Sequence, residues 1–137
     1  MSAFLDTNVL VYRLDAKAPA KQLRAMTLSA ALYRSNEAVI STQVLQEFYN
    51  TATGKLRVPA AMVEGIARTF ALGRVVTIAP PVIFAAMRRH AGGQFSFWDA
   101  LIVETALTAG CDTLYSEDMQ DGLVVEGLTI TNPFRED

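Results

Sequence analysis

The stretch SAFLDTNVLVY (residues 2–12) places an acidic residue inside an apolar run near the start of the chain. Asp6 lies between two groups of apolar residues, and Thr7 and Asn8 follow it directly. A short apolar run predicts a buried strand, and an Asp immediately after it is a good N-cap for a helix. The stretch therefore predicts a strand ending at Leu5 and a helix starting soon afterwards.

The same alternation of short apolar runs and longer amphipathic patterns continues along the chain. Strands are predicted at residues 3–5, 38–41, 74–78, 113–116 and 128–131. Helices are predicted near residues 8–14, 18–34, 42–54, 59–72, 80–91 and 96–109. Strands that alternate with helices and are apolar on both faces predict an α/β fold, with a mainly parallel sheet of about five strands covered on both sides. Because no repeat or linker interrupts the pattern, we expect residues 1–137 to form a single domain.

Composition limits the class of protein. With half of its 137 residues apolar and a fifth charged, the chain has the balance of a globular protein. It contains no apolar run of the roughly 20 residues that a membrane span needs, and Asp6 interrupts the place of a signal-peptide core. The single cysteine cannot form an internal disulfide, which favours a cytoplasmic location.

The net charge of −2 argues only weakly against nucleic-acid binding. If four acids were gathered around a metal ion, the rest of the chain would carry 12 basic side chains against 10 acidic ones. The distribution of charge therefore matters more than its sum.

Acidic residues stand at or near the predicted carboxyl ends of the strands. Each has an ordinary structural interpretation: a helix cap, the margin of a buried helix face, a capping box with Ser96, and an acidic loop. In a parallel sheet, however, these positions meet at one edge, where ligands bind. The candidate residues are Asp6, Glu47, Asp99 and Asp118.

Carboxylates that converge repel one another unless cations neutralise them. A site with oxygen ligands suits Mg²⁺ or Mn²⁺, and the chain has only one histidine and one cysteine to offer zinc. His90 is predicted to be a surface or helix-end residue, and Cys111 is predicted to lie in the core. The chain has no nucleophile elbow, phosphate loop or dinucleotide fingerprint. This pattern favours metal-assisted phosphoryl chemistry without a nucleophilic side chain.

The ordered segments FLDTNVLVY, QVLQEF and FSFWDALIVETALTAGCDTLYSEDMQDG resemble PIN-domain ribonucleases, and within that superfamily the VapC-type toxins of prokaryotic toxin–antitoxin pairs. The resemblance runs from about residue 3 to residue 131. It implies an α/β/α sandwich with an acidic pocket and Mg²⁺- or Mn²⁺-dependent cleavage of single-stranded or structured RNA. It also implies a homodimer that is inhibited by a small VapB-like antitoxin.

Carried over by position, the resemblance assigns roles to individual residues. Asp6 and Asp99 are expected to be the main metal ligands, with Glu47 and Asp118 completing the site directly or through water. Supporting roles fall to Thr7, Asn8, Ser116 and Asp121, and the choice between Asp118 and Asp121 stays open at this point.

Recognition of RNA and partners has a weaker basis in the sequence. We expect Lys17, Lys21 and Arg24 to share one helical face, either solvated or following a phosphate backbone. Trp98 is predicted to belong to the buried stripe of its helix, with base stacking as the alternative. The helix at 18–34 has more apolar residues than one buried face requires, which indicates an interface.

Two other functions are compatible with parts of this pattern. A Mg²⁺-dependent phosphatase or phosphoacceptor domain also places an Asp after its first strand, but here no second Asp stands two positions later. The other is a PIN-like module that binds RNA or a protein without cleaving it. Four carboxylates argue against that module, because without a metal they would repel RNA.

Overall fold

The computed structural model describes residues 1–135, which form one sheet with helices packed around it. The six strands are β1 (Ala3–Leu5), β2 (Ala38–Ser41), β3 (Arg74–Val76), β4 (Thr113–Tyr115), β5 (Val124–Val125) and β6 (Leu128–Thr131). Their order is β3-β2-β1-β4-β6-β5, and all neighbours are parallel except the pair β5–β6. The predicted α/β class with a mainly parallel sheet is confirmed.

Six helices lie between the strands, close to the predicted ranges. They are α1 (Thr7–Tyr12), α2 (Pro19–Arg34), α3 (Thr42–Gly54), α4 (Ala60–Phe70), α5 (Pro80–Ala91) and α6 (Phe97–Thr108). Proline occupies the first turns of α2 and α5, where its missing N–H costs no hydrogen bond. Ser41 and Ser96 cap α3 and α6 with their side chains.

The strand order determines which helices share a face of the sheet. The chain moves from β1 outward to β2 and β3, and then returns past β1 to β4. Right-handed crossovers therefore place α1 to α4 on one face and α5 and α6 on the other. The packing agrees, since α1 contacts both α2 and α3, α3 contacts α4, and α5 packs on α6.

The reversal of direction between β1 and β4 creates the crevice in which α/β proteins bind ligands. The register pairs Leu5 with Tyr115, and the Asp6 N–H donates to the Tyr115 carbonyl at 3.0 Å. The residues that follow β1 and β4 are therefore fixed side by side at this crevice.

The core explains why the short strands are stable. Phe4, Leu5, Val39 and Ile40 are almost completely buried, as expected for strands covered on both faces. Cys111 is buried and His90 is exposed, as predicted. Within residues 1–135 the structure has no helix that is long and apolar enough to cross a membrane.

Three details differ from the sequence predictions. Strand β5 was not predicted; it pairs with β6 through a tight turn in which Glu126 and Gly127 both have positive φ, at 49° and 88°. Two positive φ values are typical of a type I′ hairpin turn, which matches the twist of its strands. Lys17 precedes α2, so it does not share a helical face with Lys21. The prediction that Trp98 is buried was wrong, since 61% of this residue is exposed.

Candidate active site

A cleft of about 450 Å³ opens at the carboxyl ends of β1 and β4. The four carboxylates predicted from the sequence all line it, although they come from four separate segments: the end of β1, helix α3, the first turn of α6 and the loop after β4. They are Asp6, Glu47, Asp99 and Asp118.

Asp6 is the most deeply buried of these acids, at 5% exposure. One carboxylate oxygen accepts a hydrogen bond from the Thr7 N–H and the other from the Ser116 hydroxyl, both at 2.7 Å. Burial raises the pKa of Asp6 from 3.8 to about 7, against the effect of these two hydrogen bonds, and the charges of Glu47 and Asp99 raise it further. The side chain therefore caps α1 and is also a carboxylate without a neighbouring cation.

Thr7 connects Asp6 to Glu47. Its backbone N–H binds Asp6, and its buried hydroxyl donates to Glu47 Oε1 at 2.7 Å. Glu47 lies on the margin of the buried face of α3, which places its half-buried carboxylate beside Asp6. Thr7 thus orients the side chains of two of the four acids, Asp6 and Glu47.

Asp99 is held at the start of α6, where its backbone N–H donates to the Ser96 hydroxyl at 3.2 Å. The cap leaves the carboxylate half-buried in the cleft. Partial burial raises its pKa, hydrogen bonding by Ser96 opposes this, and the charges of Asp118 and Glu47 raise it further. The structural role and the proposed site role are therefore compatible in this residue.

Asn8 organises the loop that follows β4. Its amide nitrogen donates to Asp118 Oδ2 at 2.9 Å, and its amide oxygen accepts from the Glu117 N–H at 3.3 Å. The Asp118 N–H in turn donates to the Ser116 hydroxyl at 3.3 Å. Asn8 and Ser116 thus fix the side chain and backbone of Asp118 beside β1.

The neighbouring acid of the same loop, Glu117, is neutralised. It accepts hydrogen bonds from the Tyr12 hydroxyl at 2.7 Å and the Lys21 ammonium at 2.5 Å. Lys21 also lies over the Tyr12 ring, 4.9 Å from its centroid. These contacts were not predicted, because nothing in a sequence pattern aligns α1 and α2 with the loop after β4.

Asp121 lies away from the cleft. Its carboxylate accepts from the Asn132 N–H and the Arg135 guanidinium, both at 2.8 Å, and these contacts lower its pKa. The structure thus places Asp118, and not Asp121, among the lining acids.

The donor set fits an oxygen-seeking divalent cation. Neither histidine nor cysteine lines the cleft, and its oxygen ligands suit a hard cation. Burial chiefly raises the pKa of Asp6, and the charges of Glu47 and Asp99 add to this effect. Within residues 1–135, no group of three or more Asp, Glu, His or Cys side chains is close enough to hold a metal ion by itself. Mg²⁺ needs fewer protein ligands than such a group provides, because it is usually held by one or two carboxylates and keeps several bound waters.

Comparisons with protein families and with solved structures agree on one family for this chain. The model of the PIN domain matches residues 3–120. No curated protein matches the chain significantly. Among solved structures, the chain is similar to VapC20 of Mycobacterium tuberculosis, described as a toxin that cleaves the sarcin–ricin loop, with a TM-score of 0.60 and 20% identity over 85% of this chain and 90% of that one.

A second similar structure is VapBC2 of Rickettsia felis, solved bound to a DNA fragment from its promoter. The TM-score is 0.66, with 19% identity over 96% of this chain and 98% of that one. At these identities the two structures show a shared fold. The resemblance to PIN domains is confirmed, and PIN domains generally use divalent metal ions.

Proposed function

The chain belongs to the PIN-domain family, and from this premise we propose that it is a divalent-metal-dependent endoribonuclease. The observation that carries the proposal is the meeting of four carboxylates in one cleft at the crevice between β1 and β4. They are delivered by four segments of the chain, and the most buried of them has a pKa of about 7. Bringing these like charges together without a cation destabilises the fold, so stability alone does not account for their arrangement.

Asp6 and Asp99 would hold the Mg²⁺ or Mn²⁺ ion, and Glu47 and Asp118 would complete the site directly or through water. A cation bound there supplies a polarised phosphoryl oxygen and a bound water of lowered pKa. Thr7 keeps the carboxylates of Asp6 and Glu47 side by side, as their hydrogen bonds show.

The remaining residues of the site act as supports. Ser116 holds Asp6 from the β4 side, and Asn8 holds Asp118. No nucleophilic side chain is required, because water is the attacking group.

The proposal is tested by incubating the purified protein with mixed cellular RNA in Mg²⁺, Mn²⁺ or EDTA. We expect cleavage in either metal and none in EDTA. Asp6→Asn and Asp99→Asn should each lower the cleavage rate by about 10²–10³-fold, since the metal contributes several kcal/mol. Their circular-dichroism spectra should remain native.

Two matched carboxylate-to-amide variants serve as controls. Glu64→Gln changes an exposed acid that pairs with Arg68 on α4 and should cleave like the wild type. Asp121→Asn should do the same, because Asp121 lies outside the cleft. Cleavage that persists in EDTA, or that survives Asp6→Asn, would refute the mechanism.

We further propose that the nuclease is the toxin of a VapBC-type pair that acts in the cytoplasm as a homodimer. Support comes from the shared fold with VapC20, which is a toxin, and with VapBC2. The apolar residues Leu23 and Met26 on α2 are exposed, as an interface requires. Light scattering above micromolar concentration should give twice the chain mass, and a monomer there would refute the dimer.

Expression of the wild-type protein in bacteria should arrest their growth, whereas expression of Asp6→Asn should not. Equal arrest by both proteins would refute toxicity through cleavage.

A further inference from the structure

Trp98 is exposed although the middle of its helix is buried. It is the second residue of α6, directly before Asp99, and it lines the cleft with 61% of its surface accessible. The following residues Leu101 and Ile102 are buried. An indole is amphipathic and rigid, and stacking on a flat ring is its most favourable use at a wet surface.

The indole is supported from one side. The Phe97 ring contacts it edge-on, with centroids 5.0 Å apart and planes at 71°. Phe97 itself packs against the small core cluster around Ala86, Ala100 and Leu101. The Trp98 ring is therefore braced by the core, while most of its surface is open to a ligand.

A second observation in the same cleft points independently to ligand binding. Gln43 is 4% exposed and lines the cleft, and its Nε2 donates to the Trp98 carbonyl at 3.4 Å. Its Oε1 is the single buried side-chain polar atom among residues 1–135 that has no hydrogen-bond partner. Exchanging the amide atoms would set two oxygens against each other, so the acceptor stays unpaired in either orientation. A buried unpaired acceptor is unfavourable to folding, and such atoms in native proteins call for an explanation.

The charges of the cleft indicate what kind of contact must hold RNA there. Among the described lining residues, six are acidic and Lys55 alone is basic. Most nucleic-acid affinity normally comes from lysine and arginine contacts with phosphates. Such contacts are scarce in this cleft, so contacts with bases have to contribute a larger share of the affinity.

We infer that Trp98 and Gln43 form a nucleobase subsite for an unpaired nucleotide next to the scissile phosphodiester. The base stacks on the indole, and Gln43 Oε1 accepts a hydrogen bond from an N–H on the edge of that base. A base inside a duplex already has both faces stacked and its edge paired, so the subsite selects single-stranded or looped RNA. This inference rests on the proposed ribonuclease function, and it names the substrate class of that site.

The binding test uses the fact that Trp98 is the only tryptophan of the chain. Its fluorescence therefore reports on this position alone. The Asp6→Asn variant, which should cleave about 10²–10³-fold more slowly than the wild type, is titrated in EDTA with single-stranded poly(U) and, as the matched control, with the poly(A)·poly(U) duplex. We expect saturable quenching by poly(U) and little change with the duplex. Equal quenching by both, or by neither, would overturn the inference.

The kinetic test uses the RNA that the wild type cleaves. Trp98→Ala should lower kcat/KM by about 10- to 100-fold, the effect of losing one stacked base, while Trp98→Phe should recover most of the loss. A substrate with an abasic nucleotide at the flanking position should show a similar loss with the wild type and no further loss with Trp98→Ala. Additive losses would overturn the stacking contact. If Trp98→Ala cleaves normally and instead loses a protein partner, the residue is a docking residue and the inference is wrong.

Gln43→Leu separates a binding role from a structural one. Removing the unpaired acceptor should raise Tm, whereas KM for the cleaved RNA should rise about three- to tenfold with kcat nearly unchanged. A lower Tm together with an unchanged KM would show that Gln43 is structural.

Failure of the subsite and failure of the proposed function are distinguishable. A wild type that cleaves no RNA but a variant whose fluorescence is quenched by poly(U) would keep the subsite and reject the nuclease. RNA cleavage that is unaffected by Trp98→Ala would do the opposite.

Discussion

Two clefts of this molecule contain acidic side chains, and they differ in whether basic side chains pair with those acids. In the cleft between α5, α6 and the β5–β6 turn, Arg89 forms ion pairs with Glu104, at 2.5 Å, and with Glu126. In the cleft after β1 and β4, the Asp6 carboxylate accepts hydrogen bonds from the Thr7 N–H and the Ser116 hydroxyl, and the Asp99 backbone N–H donates to the Ser96 hydroxyl. Burial raises the pKa of both carboxyl groups. The first cleft is neutralised by the chain itself. In the second, Glu117 is paired with Lys21, but neither Asp6 nor Asp99 forms an ion pair among the described residues. Raised pKa values of this kind are typical of functional sites.

The largest expected consequence of this difference is an unusual pH dependence of stability in EDTA. The folded-state pKa of Asp6 is about 7 and its ordinary value is 3.8, so the folded protein holds this proton more tightly than the unfolded chain. The free energy of unfolding should therefore fall as pH rises from about 4 to about 7, by on the order of a few kcal/mol. Asp6→Asn should lack this fall and unfold at a higher temperature at pH 8. Thermal unfolding at a series of pH values measures it, and equal pH dependence in both proteins would contradict it.

A divalent cation should stabilise the acidic cleft by the next largest amount. At a Mn²⁺ concentration about a hundred times its Kd, the folded wild type should gain roughly 2.7 kcal/mol. Asp6→Asn and Asp99→Asn should gain much less, whereas Glu104→Gln, a matched change in the other cleft, should gain as much as the wild type. Differential scanning calorimetry with Mn²⁺ and with EDTA gives the comparison. An equal gain in Asp6→Asn would mean that the ion binds elsewhere.

Removing the arginine should convert the neutralised cleft into an unbalanced one. Arg89→Met leaves Glu104, which is 15% exposed at its side chain, without its partner. We expect a loss of about 1–3 kcal/mol in the free energy of unfolding, less than for a fully buried pair because Glu126 is well exposed. RNA cleavage per folded molecule should not change. The double variant Arg89→Met/Glu104→Leu should regain most of the stability in urea unfolding, and no recovery would show that packing, not charge, was lost.

The smallest effect is expected from the hydroxyl that orients Glu47. Thr7→Val keeps the shape of the side chain and its backbone bond to Asp6, but it removes the 2.7 Å hydrogen bond to Glu47. Cleavage should fall by roughly three- to tenfold, as for one hydrogen bond to a charged group. Thr7→Ser, which keeps the hydroxyl, should be close to the wild type. If Thr7→Val and Thr7→Ser lose equally, the methyl group and not the hydroxyl matters.

The sequence was most informative where one physical requirement acts on neighbouring residues. Burial on both faces makes β1 and β2 continuous apolar runs, and proline and serine mark the starts of α2 and α6. The acids of the cleft were found because parallel strands bring their carboxyl ends to one edge. Their exact partners, such as Thr7 for Glu47, depend on side chains that are 40 positions apart.

The failures have equally specific causes. Strand β5 has two residues and a Glu-Gly turn in place of the usual Asn-Gly, so its hairpin signal is weak. Trp98 matches the apolar stripe of α6, but periodicity shows which face is apolar and not how far along the helix the core extends. The orphan oxygen of Gln43 has no sequence signal, because only the packing around it removes its partners.

The strands at the two edges of the sheet are too short to recruit another strand. β5 has two residues and runs against its neighbour, and β3 has three. A second molecule that extended the sheet at either side would gain only two or three backbone hydrogen bonds, which is the usual protection of native edges against aggregation. Extending the sheet across two copies of this chain would therefore contribute little to their association.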